Sequence, residues 1–209
     1  MALVSGRKTN LEVQPLALEL KLKRSETMTS NIEAVALRLF DQRGFANVTV
    51  EDIALEARLS VRTFYRYVPT KEHVLQLRID RRSEFLRAML STRPLDEPPL
   101  RSVRRALEEE FAAVDTTLLR QWISVISNTP SALKGVMGAI QLNIHPVIAE
   151  FFGSRLGLPG DELVPTMLAA ATIGVIQAAH TRWFIHDGDF LTTLSESLAV
   201  LENGIRIEL

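Results

Sequence analysis

Between Ser60 and Lys71 the chain reads SVRTFYRYVPTK, and its polar groups recur at helical intervals. Arg62 and Arg66 are four residues apart and so neighbours on one helix face. Either guanidinium could fork onto guanine acceptors or pair with phosphates. Thr63, Tyr65 and Tyr67 add hydroxyls and Lys71 an ammonium, the mixture that fixes a protein on a phosphate backbone. Phe64 and Val68 fall on the other side and are candidates for core. Spacing alone leaves two readings open: a nucleic-acid-binding helix, or an ordinary helical hairpin with a solvated charged face and two core tyrosines.

These residues need elements to hold them. Ser60 can cap a helix starting at Val61, and Pro69 ends it by biasing Val68 away from helical backbone. Upstream, Thr49 with Asp52 three residues on predicts a capped helix from about Val50, with Glu51 and Asp52 facing the positive end of its dipole. Ile53, Ala54 and Ala57 give it a narrow apolar stripe whose small alanines let another helix cross closely. Two short helices and a tight turn make a helix-turn-helix. A longer helix before it carries Ile32, Val35, Ala36, Leu39 and Phe40 on one face. Gly44 is expected to close that helix in the left-handed conformation, with Phe45 folding back on it. Thr70 caps a further helix expected over 71–91.

From Ile32 to Val74 the run resembles the DNA-binding domain of the TetR family of transcriptional regulators: a helix ending LFDQRGF, then TVEDIA, an AxLS turn and TFYRYVPTK. Position by position, the resemblance implies that Thr49 and Lys71 hold phosphates at the two ends of the motif. Thr63, Tyr65 and Tyr67 would grip the backbone from the recognition helix, Val61, Arg62 and Arg66 would face bases, and Phe64 and Ile53 would be core. The chain departs from the pattern at Arg58, where the family usually has Gly, and at Val68, where it usually has an aromatic. A left-handed residue at position 58 would cost a side chain roughly 1–2 kcal/mol.

Composition fits such a protein. The formal net charge of -1 hides an asymmetry: residues 1–82 hold 14 Lys plus Arg against 10 Asp plus Glu, leaving 10 against 15 for the rest. A basic end that meets phosphate and an acidic remainder follow. With 46% apolar residues and nine prolines the chain is expected to fold with little disorder. The absence of cysteine excludes disulfides and thiolate metal sites. No apolar run reaches the roughly 20 residues expected of a membrane span, and the N-terminal stretch lacks the apolar region of a secretory signal. A cytoplasmic protein without membrane contact is expected. Residues 1–28, with Arg7, Lys8, Lys21, Lys23 and Arg24, read as a basic extension, either a disordered leader or an arm following DNA; Met28 is an alternative start.

After the proline-rich break RPLDEPPL, helices are expected at about 100–114, 117–128, 131–156, 161–185 and 188–205, with Pro146 kinking the third. The fold class is therefore all-α: a helix-turn-helix domain over 29–73 followed by a helical domain over 74–209. The second part resembles the TetR sensor domain in layout and in an AxxxRWF-like stretch at Trp183. AAATIGVIQAA and the series Leu191, Leu194, Leu198, Leu201, Ile205 read either as internal core or as a coiled-coil-like seam. The resemblance implies a homodimer through the last two helices, about 161–205. Trp122, Gln141, Asn143, His145, Gln177, His180 and Trp183 are polar or amphipathic groups on apolar helices and are candidates for a small-molecule pocket. No dominant charge cluster accompanies them, which points to a hydrophobic or uncharged ligand. No two histidines are spaced for a helical metal site, and there is no Gly-rich phosphate loop, GxSxG or cysteine nucleophile. The expectation is a repressor that binds palindromic operator DNA and is released by an effector, with no catalytic role, cofactor or metal. A regulator of the same fold without an effector, and more remotely a helical enzyme, are the rivals.

Overall fold

The computed structural model describes the backbone of residues 13–186 and 188–204, and side chains from residue 23 onward within those limits. The described residues form helices and turns with no strand. Helix α1 is Val13–Arg43, α2 Val50–Glu56, α3 Val61–Tyr67, α4 Leu77–Ser91 and α5 Pro99–Ala112. There follow α6 Thr116–Ser127, α7 Pro130–Ala139, α8 His145–Leu156, α9 Leu163–His186 and α10 Phe190–Asn203.

The expected α1 stripe is buried, from Ile32 to Phe40. Leu37 lies outside the stripe and is buried too, because α1 packs against α6 as well as against α2 and α3. The helix starts at Val13, so the part of the basic extension from there on is continuous helix and neither of the two readings given for it; Arg7 and Lys8 lie outside the described residues. At its C-terminus Gly44 has positive φ, but ψ is 144° rather than left-handed, a combination reserved almost wholly for glycine. Phe45 folds back as expected, its ring centroid 4.8 Å from that of Phe40.

The helix expected over 71–91 is broken. Residues Glu72–Leu75 form a 3-10 turn, with Thr70 Oγ1 accepting from the His73 amide, and α4 begins at Leu77. The segment 131–156 is likewise divided. Between α7 and α8, Ile140–Ile144 make one wide π turn, closed by the His145 amide donating to Ile140 O. Pro146 explains it: the ring has no N–H to give and would crowd the preceding carbonyl, and the widened turn makes room without ending the helix. α10 is flanked by α5 and α9. Leu194 and Leu198 are buried within the chain and belong to its core, whereas Leu191 and Leu201 are half-buried; Ile205 lies outside the described residues.

Candidate nucleic-acid interface and effector cavity

The presenting scaffold of α3 is set by caps and two buried side chains. Thr49 and Asp52 form a reciprocal capping box at the start of α2. The Thr49 amide, more than its hydroxyl, holds the Asp52 carboxyl below its ordinary range. α2 ends with Arg58 at φ 57°, the sole non-glycine at positive φ among the described residues. The Leu59 amide donates to Ala54 O at 2.8 Å across this left-handed corner. Ser60 Oγ then accepts from the Thr63 amide at 3.0 Å and starts α3. Phe64 and Val68 have no exposed surface and fix the inner side of α3.

What remains outward is a narrow face. Arg62, Tyr65 and Arg66 are exposed and share one side of α3, three and four residues apart. Val61 and Thr63 flank it half-buried, and the Thr63 hydroxyl lies 2.8 Å from Ser60 Oγ. Tyr67 is half-buried under Arg66, whose guanidinium lies 4.9 Å from its ring centroid and donates to its hydroxyl. Lys71 departs most from the expected phosphate contact. Its ammonium donates to Phe45 O and Val48 O, both at 2.8 Å, and lies 4.3 Å from the Phe45 ring centroid. It therefore ties the α1–α2 connection to the segment after α3.

A cavity of about 410 Å³ lies among α4, α6, α7 and α9. Its walls are mostly aliphatic, including Ile123, Ile126, Ile140, Ile144, Ile173 and Ile176. Three expected pocket residues line it: Trp122, Gln177 and His180. The others do not. Gln141 is exposed on the wide turn; His145 bonds Thr166 O at 3.2 Å; Asn143 donates to Asp80; and Trp183 is buried, donating to Gly188 O. The His180 ring stacks on Phe190 at 4.9 Å and meets Phe111 edge-on. Burial, reinforced by the charges of Arg82 and Arg78, pushes its pKa down to about 3 and keeps it neutral. Trp122 joins cavity to reader. One side of its ring lines the cavity, and its indole N–H donates to Leu75 O at 3.0 Å, a carbonyl at the junction between the 3-10 turn and α4.

Comparison with known proteins decides the family. Residues 32–77 match the family model for bacterial regulatory proteins of the tetR family, and residues 97–206 match the MftR C-terminal domain model, more than half of the chain. The chain belongs to the TetR family. Over 151 residues this TetR regulator is 38% identical to the HTH-type transcriptional regulator EthR of Mycolicibacterium smegmatis, covering 69% of each chain. It is 26% identical over 183 residues to the regulator TcmR of Streptomyces glaucescens, covering 83% of this chain and 80% of the relative. Its fold matches that of Thermus thermophilus FadR, a TetR repressor solved with lauroyl-CoA, with a TM-score of 0.56 and 23% identity over 87% of this chain and 96% of that one.

Two features of this TetR chain were missed in the sequence. Arg82 reaches the cavity from α4, and among the four arginines of that mixed helix the pattern gave no sign of which one faced inward. Helix α9, 24 residues with a window of mean hydropathy 1.4, is long and apolar enough to cross a membrane. The expectation of no such run overlooked that Gln177, His180 and Thr181 are diluted by their apolar neighbours. One side of α9 packs on α8, α10 and the cavity, and the other carries an exposed apolar stripe.

Proposed function

We propose that the protein is an effector-responsive repressor that binds an inverted-repeat operator as a homodimer, reading bases with Arg62 and Arg66 and holding the backbone with Tyr65, Thr63 and the caps at Thr49 and Ser60. The observation that carries this reading is the outward face of α3, where Arg62, Tyr65 and Arg66 are exposed side by side, Arg66 resting on Tyr67, on a helix capped and anchored from behind. Tyr67 and Val61 border that face, and Lys71 supports it through the α1–α2 connection. Dimerisation is supported by the α9 stripe: Leu163, Met167 and Ile185 are exposed, with exposed Ala170, Gly174 and Ala178 between them to allow close backbone approach. Two α3 helices in such a dimer would meet half-sites about 34–36 Å apart or at a multiple. An effector in the cavity would act through Trp122 and α4, favouring a state in which the two readers no longer fit one operator; its differential affinity for the two states supplies the whole shift. The lauroyl-CoA bound by the Thermus relative agrees with an effector whose body is apolar. Such a regulator works in the cytoplasm.

The experiment is selection of bound sites from a random duplex pool, followed by Arg62→Ala on the enriched site. The expected outcome is an inverted repeat, with the substitution costing roughly 1–3 kcal/mol on that site and little on scrambled DNA. Equal losses on both would remove Arg62 from base reading.

A further inference from the structure

The wall where α4 meets the cavity is not electrically neutral. Three guanidiniums of α4, those of Arg78, Arg81 and Arg82, are opposed by two carboxylates, Glu33 from α1 and Glu110 from α5. Arg81 pairs with Glu33, and Arg82 pairs with Glu110 through its Nε and Nη2 edge. Arg78 has no carboxylate of its own, its Nε is buried without a partner, and burial pushes its pKa down. Arg81 Nη1 and Glu33 Oε1 are also buried without partners, so the pairing is incomplete on both signs. Asp115 borders the outer groove beside these arginines, but its Oδ1 accepts the Thr117 and Leu118 amides at the start of α6. The three cations exceed the two carboxylates by one, in a half-buried cluster that also borders an outer groove.

Arg82 carries that field into the cavity. Its guanidinium lies 4.3 Å from the ring centroid of Phe111, the same ring that His180 meets edge-on, and both Arg82 and His180 line the cavity. His180 stays neutral there, so it adds no charge, and its Nε2 has no partner. Most of the rest of the lining is aliphatic, and Leu133, Met137 and Ile185 among it are exposed in part to solvent. We propose that the effector is a monoanionic amphiphile, a carboxylate on an apolar body, whose head seats on Arg82 beside His180 and supplies the missing counter-charge. This rests on the effector reading above and differs from the hydrophobic or uncharged ligand expected from sequence in giving the apolar body a charged head. The charges were invisible there because Arg78, Arg81, Arg82, Glu33 and Glu110 come together only when α1, α4 and α5 pack.

The test is calorimetric titration of the full chain with decanoate, dodecanoate and tetradecanoate, each against the matching primary alcohol and primary amine, the acids and amines below their critical micelle concentrations and the alcohols below their solubility limits. The expected order is acid over alcohol by about tenfold or more, with the amine weakest. In the Arg82→Gln, Glu110→Gln double variant, which keeps the local charge balance and leaves polar amides at both positions, the acid-to-alcohol ratio should fall to about one. Should that variant bind no member of the series, Arg78→Gln carries the test, because Arg78 stands behind the wall without lining it; removing its charge should cut the ratio several-fold. Alcohol binding as tightly as acid in the wild type, or an acid preference that survives the double substitution, overturns the anionic head while leaving the apolar cavity intact. No binding by any chain overturns the proposal together with the effector reading beneath it.

Discussion

At the scale of single residues, Arg58 and His180 each hold a state that elementary chemistry disfavours. Arg58 takes a left-handed conformation with a side chain, and the structure shows for it only a screened attraction to the exposed Glu56 carboxylate. Arg58→Gly should therefore stabilise the fold by about 1 kcal/mol in urea unfolding, if the loss of strain exceeds the added freedom of the unfolded chain. No change or a loss would mean that the arginine is held by interactions of its own. His180 is held neutral with its pKa near 3 against an ordinary 6.5. Between those values the unfolded chain takes up a proton that the folded chain refuses, so stability falls as pH drops through the window. His180→Phe, which keeps a ring against Phe190, should flatten the part of the acid limb below pH 6.5 that precedes carboxylate titration. An unchanged limb would place the titration elsewhere. Lys71 makes a third case: Lys71→Met leaves the Phe45 and Val48 carbonyls without their donor and should lower stability by about 1–3 kcal/mol, besides weakening DNA binding on all sequences alike.

At the scale of elements, the junction between the 3-10 turn and α4 is where cavity and reader are joined. Trp122→Phe keeps an aromatic ring in the cavity wall and removes the bond to Leu75 O. The variant should still bind a cavity ligand, yet show a smaller change in operator affinity on saturation; an unchanged response would route the coupling elsewhere. This junction also marks where the sequence stopped being informative. The reader was legible because its signals are local: caps at Thr49 and Ser60, the Phe64 and Val68 pair, Pro69, and a motif in the family's order. The long helices were legible from apolar period. The 3-10 turn at 72–75 was not, since a helical pattern runs through it and tertiary packing decides the local geometry, whereas the wide turn was legible as a kink at Pro146 but not in its π form. The cavity was half legible. Trp122, Gln177 and His180 stood out as polar groups on apolar helices, but so did Gln141 and His145, and the pattern cannot say which side of a helix meets a void. The α10 leucines show the same limit: the period was right, and packing on α5 and α9 decided that Leu194 and Leu198 face inward.

At the scale of the whole molecule, binding of an inverted repeat requires two readers held at a fixed separation. Ala170 sits exposed within the α9 stripe, so Ala170→Glu places charges across the proposed subunit contact without touching the core. Sedimentation should show a monomer with unaltered helix content, and operator affinity should drop by about a hundredfold or more, because two linked half-sites are reduced to one. A dimer that survives would move the interface off α9. The central claim, that α3 reads sequence in the service of regulation, is tested most directly by fluorescence anisotropy on the selected operator and on a scrambled duplex, each titrated across salt. The account predicts tight binding of two chains per operator, with the preference for the operator persisting as salt weakens both. Equal, weak and steeply salt-dependent binding to the two duplexes would contradict it, leaving only phosphate contact where base reading is proposed.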